Sequence, residues 1–326
     1  MHRKYIILVL ILAFVSFGFF AHAQIQNTDI VLSISPQYPN SNQNVDATLS
    51  SHSIDLDKAN ITWSVNDQQI SGGIGKKNFS FKMSALGETL NLSASIDTID
   101  GQSLQKTLVI TPADVDMLWE AYDAYTPPFY KGKALAPSQG SFKVVAIPSF
   151  INKNGKVNLN NLSYIWNKDG NIQSNSSGWG KSSFIFKNSY LDKGNTVEVE
   201  ISDISGNTNT SGRIDLNTVN PKILFYENDP TLGVKWENTL SDGYTVDSKG
   251  KTLVVEPYFF SPKDLGSSIL TFDWFLNGDK ISTPDPKNIL SIKPEAGQTG
   301  SATIKVDINN TATLFQEAIK QLNVNF

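Results

Sequence analysis

Ile61-Thr62-Trp63-Ser64-Val65-Asn66-Asp67, Tyr164-Ile165-Trp166-Asn167-Lys168-Asp169-Gly170 and Phe272-Asp273-Trp274-Phe275-Leu276-Asn277-Gly278 are three copies of one pattern. In each copy a short apolar stretch carries a tryptophan, and a turn pair follows at the third and fourth positions after it. Asn-Asp, Asp-Gly and Asn-Gly all tolerate the positive φ that a tight hairpin turn requires. An isoleucine resumes the apolar pattern each time, at Ile70, Ile172 and Ile281. Self-similarity at a fixed period marks an array of like units, so the repeat decides the organisation of the chain.

The agreement continues downstream. Phe79-Ser80-Phe81-Lys82 corresponds to Phe184-Ile185-Phe186-Lys187 and to Leu290-Ser291-Ile292-Lys293. Alternating stretches come next, at Thr89–Ile96, Thr196–Ile201 and Ala302–Ile308. Alternation of apolar and polar residues marks a strand with one face in a core and one in water. Upstream of each tryptophan a further strand is predicted, at Asn44–Leu49, Phe142–Ile147 and Leu253–Tyr258. Helical periodicity is confined to Thr313–Leu322, and Ala312–Phe326 fits a last strand equally well. Trp63 and Trp166 are 103 residues apart, and Trp166 and Trp274 are 108 apart. That spacing suits a two-sheet sandwich of about 100 residues with a buried tryptophan on its third strand.

The pattern resembles the cysteine-free tandem immunoglobulin-like modules, and more loosely the PKD-like modules, of bacterial surface proteins. It covers essentially the whole mature chain. No tryptophan is followed by a Phe-Gly-Asp-Gly-type turn, which favours the immunoglobulin-like label. The resemblance implies an all-β chain of three tandem immunoglobulin-like β-sandwiches, with Trp63, Trp166 and Trp274 as core residues. It also implies a non-catalytic role as spacer, adhesion module or envelope component. The expected divisions are a signal peptide at 1–23 and modules at 24–112, 113–220 and 221–326. Thr111-Pro112 closes the first module and Asn220-Pro221 the second. Linkers this short predict a semi-rigid rod.

The N-terminus begins Met1-His2-Arg3-Lys4, runs apolar from Tyr5 to Phe20, and continues Ala21-His22-Ala23. A basic segment, an apolar segment and a small-x-small site read as a secretory signal peptide cleaved after Ala23. Retained, the same segment would be an anchor helix, although its 16 apolar residues fall short of the roughly 20 needed to span hydrocarbon. Either way the rest of the chain is expected outside the cytoplasm, secreted or at the cell surface. Membrane association is expected only if the segment is kept.

The chain holds no cysteine, which removes disulfides, thiol nucleophiles and thiolate metal sites. Of three histidines, only His52 lies beyond the signal peptide. That leaves no multi-histidine metal site, and a Ser-His-Asp triad would rest on His52 alone. Neither a phosphate-cradling glycine loop nor a basic stripe for nucleic acid is present. Cleavage would take the formal net charge from −4 to −6. No enzyme activity, cofactor or metal is expected, and the partners foreseen are a cell-envelope or pilus protein, or a surface glycan.

One stretch invites a sharper reading: Leu118-Trp119-Glu120-Ala121-Tyr122-Asp123-Ala124-Tyr125-Thr126-Pro127-Pro128-Phe129-Tyr130. Trp119, Tyr122 and Tyr125 offer faces for sugar rings, and Glu120 and Asp123 offer acceptors for hydroxyls. The same two carboxylates are the best candidates for the pair a glycosidase or lyase would need. The competing reading is structural. Leu224-Phe225-Tyr226-Glu227-Asn228-Asp229 holds the corresponding place in the third repeat, so the element reads as a first strand with inter-module packing. Asp97, Asp100, Asp203 and Asp307 end the penultimate strands, without the spacing of a calcium loop. The Asn-x-Ser/Thr triplets (Asn60, Asn78, Asn91, Asn161, Asn175, Asn209, Asn309) are those expected by chance in an Asn-rich chain. The C-terminal Leu322–Phe326 reads as a seventh strand of the third sandwich or as a strand offered to a partner.

Overall fold

A computed structural model describes residues 29–152, 155–192, 194–204 and 208–326. The expected signal peptide lies outside the described residues. Among those residues the chain is built of strands, with two 3-10 turns, at Leu159–Asn161 and Ser174–Ser176. No helix among them is long and apolar enough to cross a membrane.

The first sandwich uses β1 (Val31–Ser35), β2 (Asn44–Ser50), β3 (Asn60–Val65), β4 (Gln68–Ile74), β5 (Asn78–Lys82), β6 (Leu90–Asp97) and β7 (Ser103–Ile110). Its sheets have the orders β1-β2-β5 and β4-β3-β6-β7. Val45, Ala47 and Leu49 of β2 are buried while the residues between them are exposed. The period of two in the sequence is thus the inward face of a half-buried strand.

The second sandwich uses β8 (Asp114–Ala121), β9 (Ser141–Ser149), the short pair β10 (Ile151–Asn152) and β11 (Gly155–Lys156), β12 (Leu162–Lys168), β13 (Asn171–Ile172), β14 (Gly178–Trp179), β15 (Ser183–Lys187), β16 (Gly194–Asp203) and β17 (Asn209–Asn217). Its main sheets are β15-β9-β8 and β13-β12-β16-β17, with β14 also on β12. The third uses β18 (Lys222–Asp229), β19 (Gly233–Thr239), β20 (Tyr244–Thr245), β21 (Lys251–Tyr258), β22 (Leu270–Leu276), β23 (Asp279–Ile281), β24 (Ile289–Ile292), β25 (Ser301–Asn310) and β26 (Glu317–Asn325). Its sheets run β19-β18-β21-β24 and β20-β26-β25-β22-β23. The helical alternative over Thr313–Leu322 is not realised. Glu317–Asn325 pairs antiparallel with β25 along its length, which satisfies its backbone in the sheet.

The chain forms two compact units. Of the described residues, 29–34, 46–80 and 91–108 belong to one, and 35–45, 81–90 and the rest from 109 to 326 to the other. Trp63, Trp166 and Trp274 are fully buried. Each indole N–H donates to a lysine carbonyl: Lys76 at 2.7 Å, Lys181 at 2.8 Å and Lys287 at 2.9 Å. The same bond in three modules fixes the loop after the tryptophan hairpin and satisfies the one polar atom of a buried ring. The hairpins themselves have positive φ at both central residues, as at Asn66 (48°) and Asp67 (65°), which is the type I′ geometry.

Candidate functional site

The segment 119–130 carries two readings, a sugar-binding platform and inter-module packing, and the structure disperses its residues over separate surfaces. β8 is an edge strand whose Trp119 turns inward, its ring 5.5 Å from that of Phe142. The outer side of the indole is covered by Lys133, with Nζ 3.5 Å from the ring centroid. Partial burial pushes the Lys133 ammonium below the usual lysine range, and the π face compensates part of that desolvation. Glu120 points to the opposite, outer face of the sheet, cross-strand from Lys143. Trp119 and Glu120 share the wall of an open cleft of about 620 Å³ with Met117, Lys133 and Lys143.

Beyond Ala121 the chain leaves the sheet. Tyr122 is half exposed, 5.9 Å from the Lys263 ammonium. Asp123 folds back onto the start of β9 and accepts from the Ser141 amide at 2.8 Å and its hydroxyl at 3.0 Å. Tyr125 belongs to a different surface. Its amide donates to Phe260 O at 2.7 Å, its carbonyl accepts from Phe259 N–H at 2.8 Å, and its hydroxyl donates to Glu256 Oε2 at 2.5 Å. A turn at Pro127–Tyr130 then carries Phe129 at φ 64° and lays the Tyr130 ring edge-on to Tyr258 and Phe259. The loop of the second module is therefore a strap over the outer face of the β18–β21 sheet of the third.

Glu256 is the residue that sequence reasoning missed. It lies on β21 opposite Leu224 and is only 3% exposed. Burial raises its carboxyl to about 7, against which the Tyr125 hydroxyl acts in the opposite direction. Burial and the same bond push the Tyr125 hydroxyl far above the usual tyrosine range. A second polar group closes the junction beside it. Gln316, fully buried, donates to Ser138 O at 2.7 Å and accepts from Ser261 N–H and Asn310 Nδ2, while Gln139 donates to Leu314 O. A signal for this existed: Leu253-Val254-Val255-Glu256-Pro257-Tyr258 is apolar without alternation, the mark of a strand covered on both faces.

A perturbed carboxyl is a candidate general acid or base. At its exposure Glu256 is closed to a substrate, and its hydrogen bond runs to a structural tyrosine. Asp123 is engaged at both oxygens by Ser141, and Glu120 stands on the outer sheet face, so the two acids hold separate positions. Of the aspartates considered for calcium, Asp97 accepts from Ser103 Oγ and Asp307 pairs with Lys305. No cluster of three or more His, Cys, Asp or Glu suited to a metal ion is found among the described residues.

No protein-family model matches the chain, and no curated protein matches it. Solved structures that do match include the fibronectin(III)-like modules of Clostridium thermocellum CbhA. That match has 14% identity and a TM-score of 0.26, and it covers 58% of this chain and 94% of that one. Three N-terminal domains of the bacteriophage RB49 Highly Immunogenic Outer Capsid protein match at 11% identity and TM-score 0.27, covering 91% and 98%. The central fibronectin-III array of RIM-binding protein matches at 10% identity and TM-score 0.28, covering 91% and 95%.

Proposed function

We propose that this chain is a non-catalytic exported protein whose immunoglobulin-like modules act as a spacer, adhesion or envelope-assembly component outside the cytoplasm. The observation that supports this reading is the use of the 119–130 segment. Its Tyr125 and Tyr130, with the buried Glu256, join one module to the next, whereas Trp119 and Glu120 line a cleft of the second module alone. A hydrophobic and hydrogen-bonded junction resists bending in a way that a bare linker does not. The glycan platform at Trp119, Tyr122 and Tyr125 is less well supported, because Tyr125 is already bonded to Glu256 and Tyr122 stands apart from Trp119. The divisions at 24–112, 113–220 and 221–326 are part of the same proposal, as is an envelope or pilus protein as partner.

The absence of native cysteine makes the test direct. With spin labels at Ser183→Cys in the second module and Asp279→Cys in the third, pulsed dipolar spectroscopy is expected to give one narrow distance distribution. Adding Tyr125→Ala should broaden it. A distribution already broad in the otherwise native chain contradicts a stiff junction. Cross-linking on intact producing cells should recover the chain joined to an envelope protein, and recovery only as free protein in the medium would contradict the assembly role.

A further inference from the structure

Six tryptophans occur in the sequence, and Trp179 is the one whose side chain stands in water, 57% exposed. Its backbone is nevertheless firmly held. It sits in β14, paired with Ser163 of β12, between Gly178 at φ 128° and Gly180 at φ 67°. On one side Ser177 Oγ accepts from Trp166 N–H at 2.9 Å. On the other, Gly180 N–H donates to Leu162 O and the carbonyl of Lys181 takes the buried Trp166 indole. An aromatic ring is thus displayed to solvent on a backbone anchored directly to the core, which removes much of the ordering cost of binding.

The other modules show that the fold does not ask for this ring. In the first, Gly73 at φ 143° and Gly75 at φ 69° flank Ile74, and Lys76 O takes the Trp63 indole. Ile74 pairs with Asn60, which stands three residues before Trp63 as Ser163 stands before Trp166. In the third module the residue two before the indole-accepting Lys287 is Asp285. One structural position therefore carries Ile in the first module and Trp in the second on the same pair of positive-φ glycines, while at the same offset the third module has Asp between Pro284 and Pro286.

What surrounds the ring identifies a chemistry. Residues directly across a sheet share a face, so three rows can be read from the register. Trp179 lies beside Ser163 and Ser202, Ile165 beside Glu200 and Ser211, and Ile172 beside Asn167, Glu198 and Arg213. Ile165 and Ile172 are 43% and 64% exposed. From the first row to the third is four residues of strand, about 14 Å. An apolar line on the β13–β14 side is thus flanked by hydroxyl, amide and carboxylate groups. Glu198 is paired with Arg213 at 3.1 Å, which leaves the charge of Glu200 without a partner in these rows. That surplus disfavours anionic polysaccharides and nucleic acid.

We infer that the outer face of the β12–β14–β16–β17 sheet binds a neutral glycan, with the C–H face of one sugar ring stacked on Trp179 and hydroxyls bonded to the adjoining serine, asparagine and glutamate side chains. This site is separate from the strap at 119–130, and it gives the proposed spacer a ligand of its own.

The full chain is titrated by calorimetry and tryptophan fluorescence with neutral hexasaccharides of glucose, mannose, galactose and N-acetylglucosamine. At least one is expected to bind and to change tryptophan emission. Trp179→Ile, which installs the residue of the first module, should weaken that binding about tenfold or more, a change of about 1.4 kcal/mol. Trp179→Tyr should keep most of it, and both variants should melt as the native chain does. Binding to none of the four, or binding only to an anionic glycan, overturns the inference. Equal binding by the Ile variant overturns it too, since an aliphatic side chain would then serve as well and the contact would be of the kind a protein partner makes.

Discussion

Glu256 carries an unusual burden for a surface-type residue. It is on the outer face of its sheet, where water would ordinarily solvate a carboxylate, yet the strap of the second module closes over it. The ionisable groups that act on it are Tyr125 from the strap and Tyr258 on its own strand, and neither is a cation. Burial therefore favours the neutral acid. The folded chain holds this proton up to about pH 7, whereas the unfolded carboxyl releases it near its ordinary 4.5. Protonation thus contributes stability that is fully present below the unfolded value and is lost as pH rises through about 7. The difference is worth at most about 3 kcal/mol. Stability of the joined modules, followed as a urea midpoint, is expected to fall between pH 5 and pH 8. Glu256→Gln should flatten that slope and raise stability at pH 8, because a neutral amide oxygen can still accept from Tyr125. An unchanged slope in the variant would remove Glu256 as its source. Carboxylates held low act at more acid pH and with the opposite sign. Asp29 is the extreme case, kept well below the usual range by the Ser53 and Ser51 hydroxyls and the His52 and Ser53 amides.

The hairpin after each tryptophan shows how local chemistry recurs while its quality varies. All three turns need positive φ at both central residues, and the second of these is Asp67, Gly170 or Gly278. An L-residue in that region costs about 1–2 kcal/mol, less for aspartate, and glycine avoids the clash. Asp67→Gly is therefore expected to stabilise the first module by about 0.5–1 kcal/mol, net of the entropy glycine adds to the unfolded chain. A chemical denaturation midpoint that drops would mean that the Asp67 side chain makes a compensating bond. Such elements were legible in the sequence because they are local. Turn pairs, alternation and the tryptophan period report the two nearest shells of each residue. The strap was not legible, because Tyr125 and Glu256 meet across 131 positions of chain and their pairing depends on which sheet face the loop covers. The display position of Trp179 was within reach, since Gly73-Ile74-Gly75-Lys76 and Gly178-Trp179-Gly180-Lys181 share a Gly-x-Gly-Lys pattern that begins 10 and 12 residues after their tryptophans. Two glycines around a varying residue are a backbone signature with a free side chain.

At the scale of the molecule, the junction decides whether the second and third modules behave as two domains or as one. The contacts that cross it include the backbone pair of Tyr125 with Phe259 and Phe260, the buried Tyr125–Glu256 bond, the Tyr130 ring against Tyr258 and Phe259, and the Gln316–Ser138 and Gln139–Leu314 bonds. Opening the interface takes Ser138 O from Gln316 and the Tyr125 hydroxyl from Glu256, and each buried group left unpaired costs about 1–3 kcal/mol. Subglobal opening of one module alone is then disfavoured relative to opening both. Native-state hydrogen exchange in increasing urea reads this directly. The central strands β16 and β25 are expected to exchange through one common opening with the same denaturant dependence. With Tyr125→Ala, which removes the ring and its bond to Glu256, the two isotherms should separate, the weaker module opening first. Isotherms already separate in the native chain would show two domains that only touch, and the stiffness asked of a spacer would then have to come from the linker at Asn220-Pro221 alone.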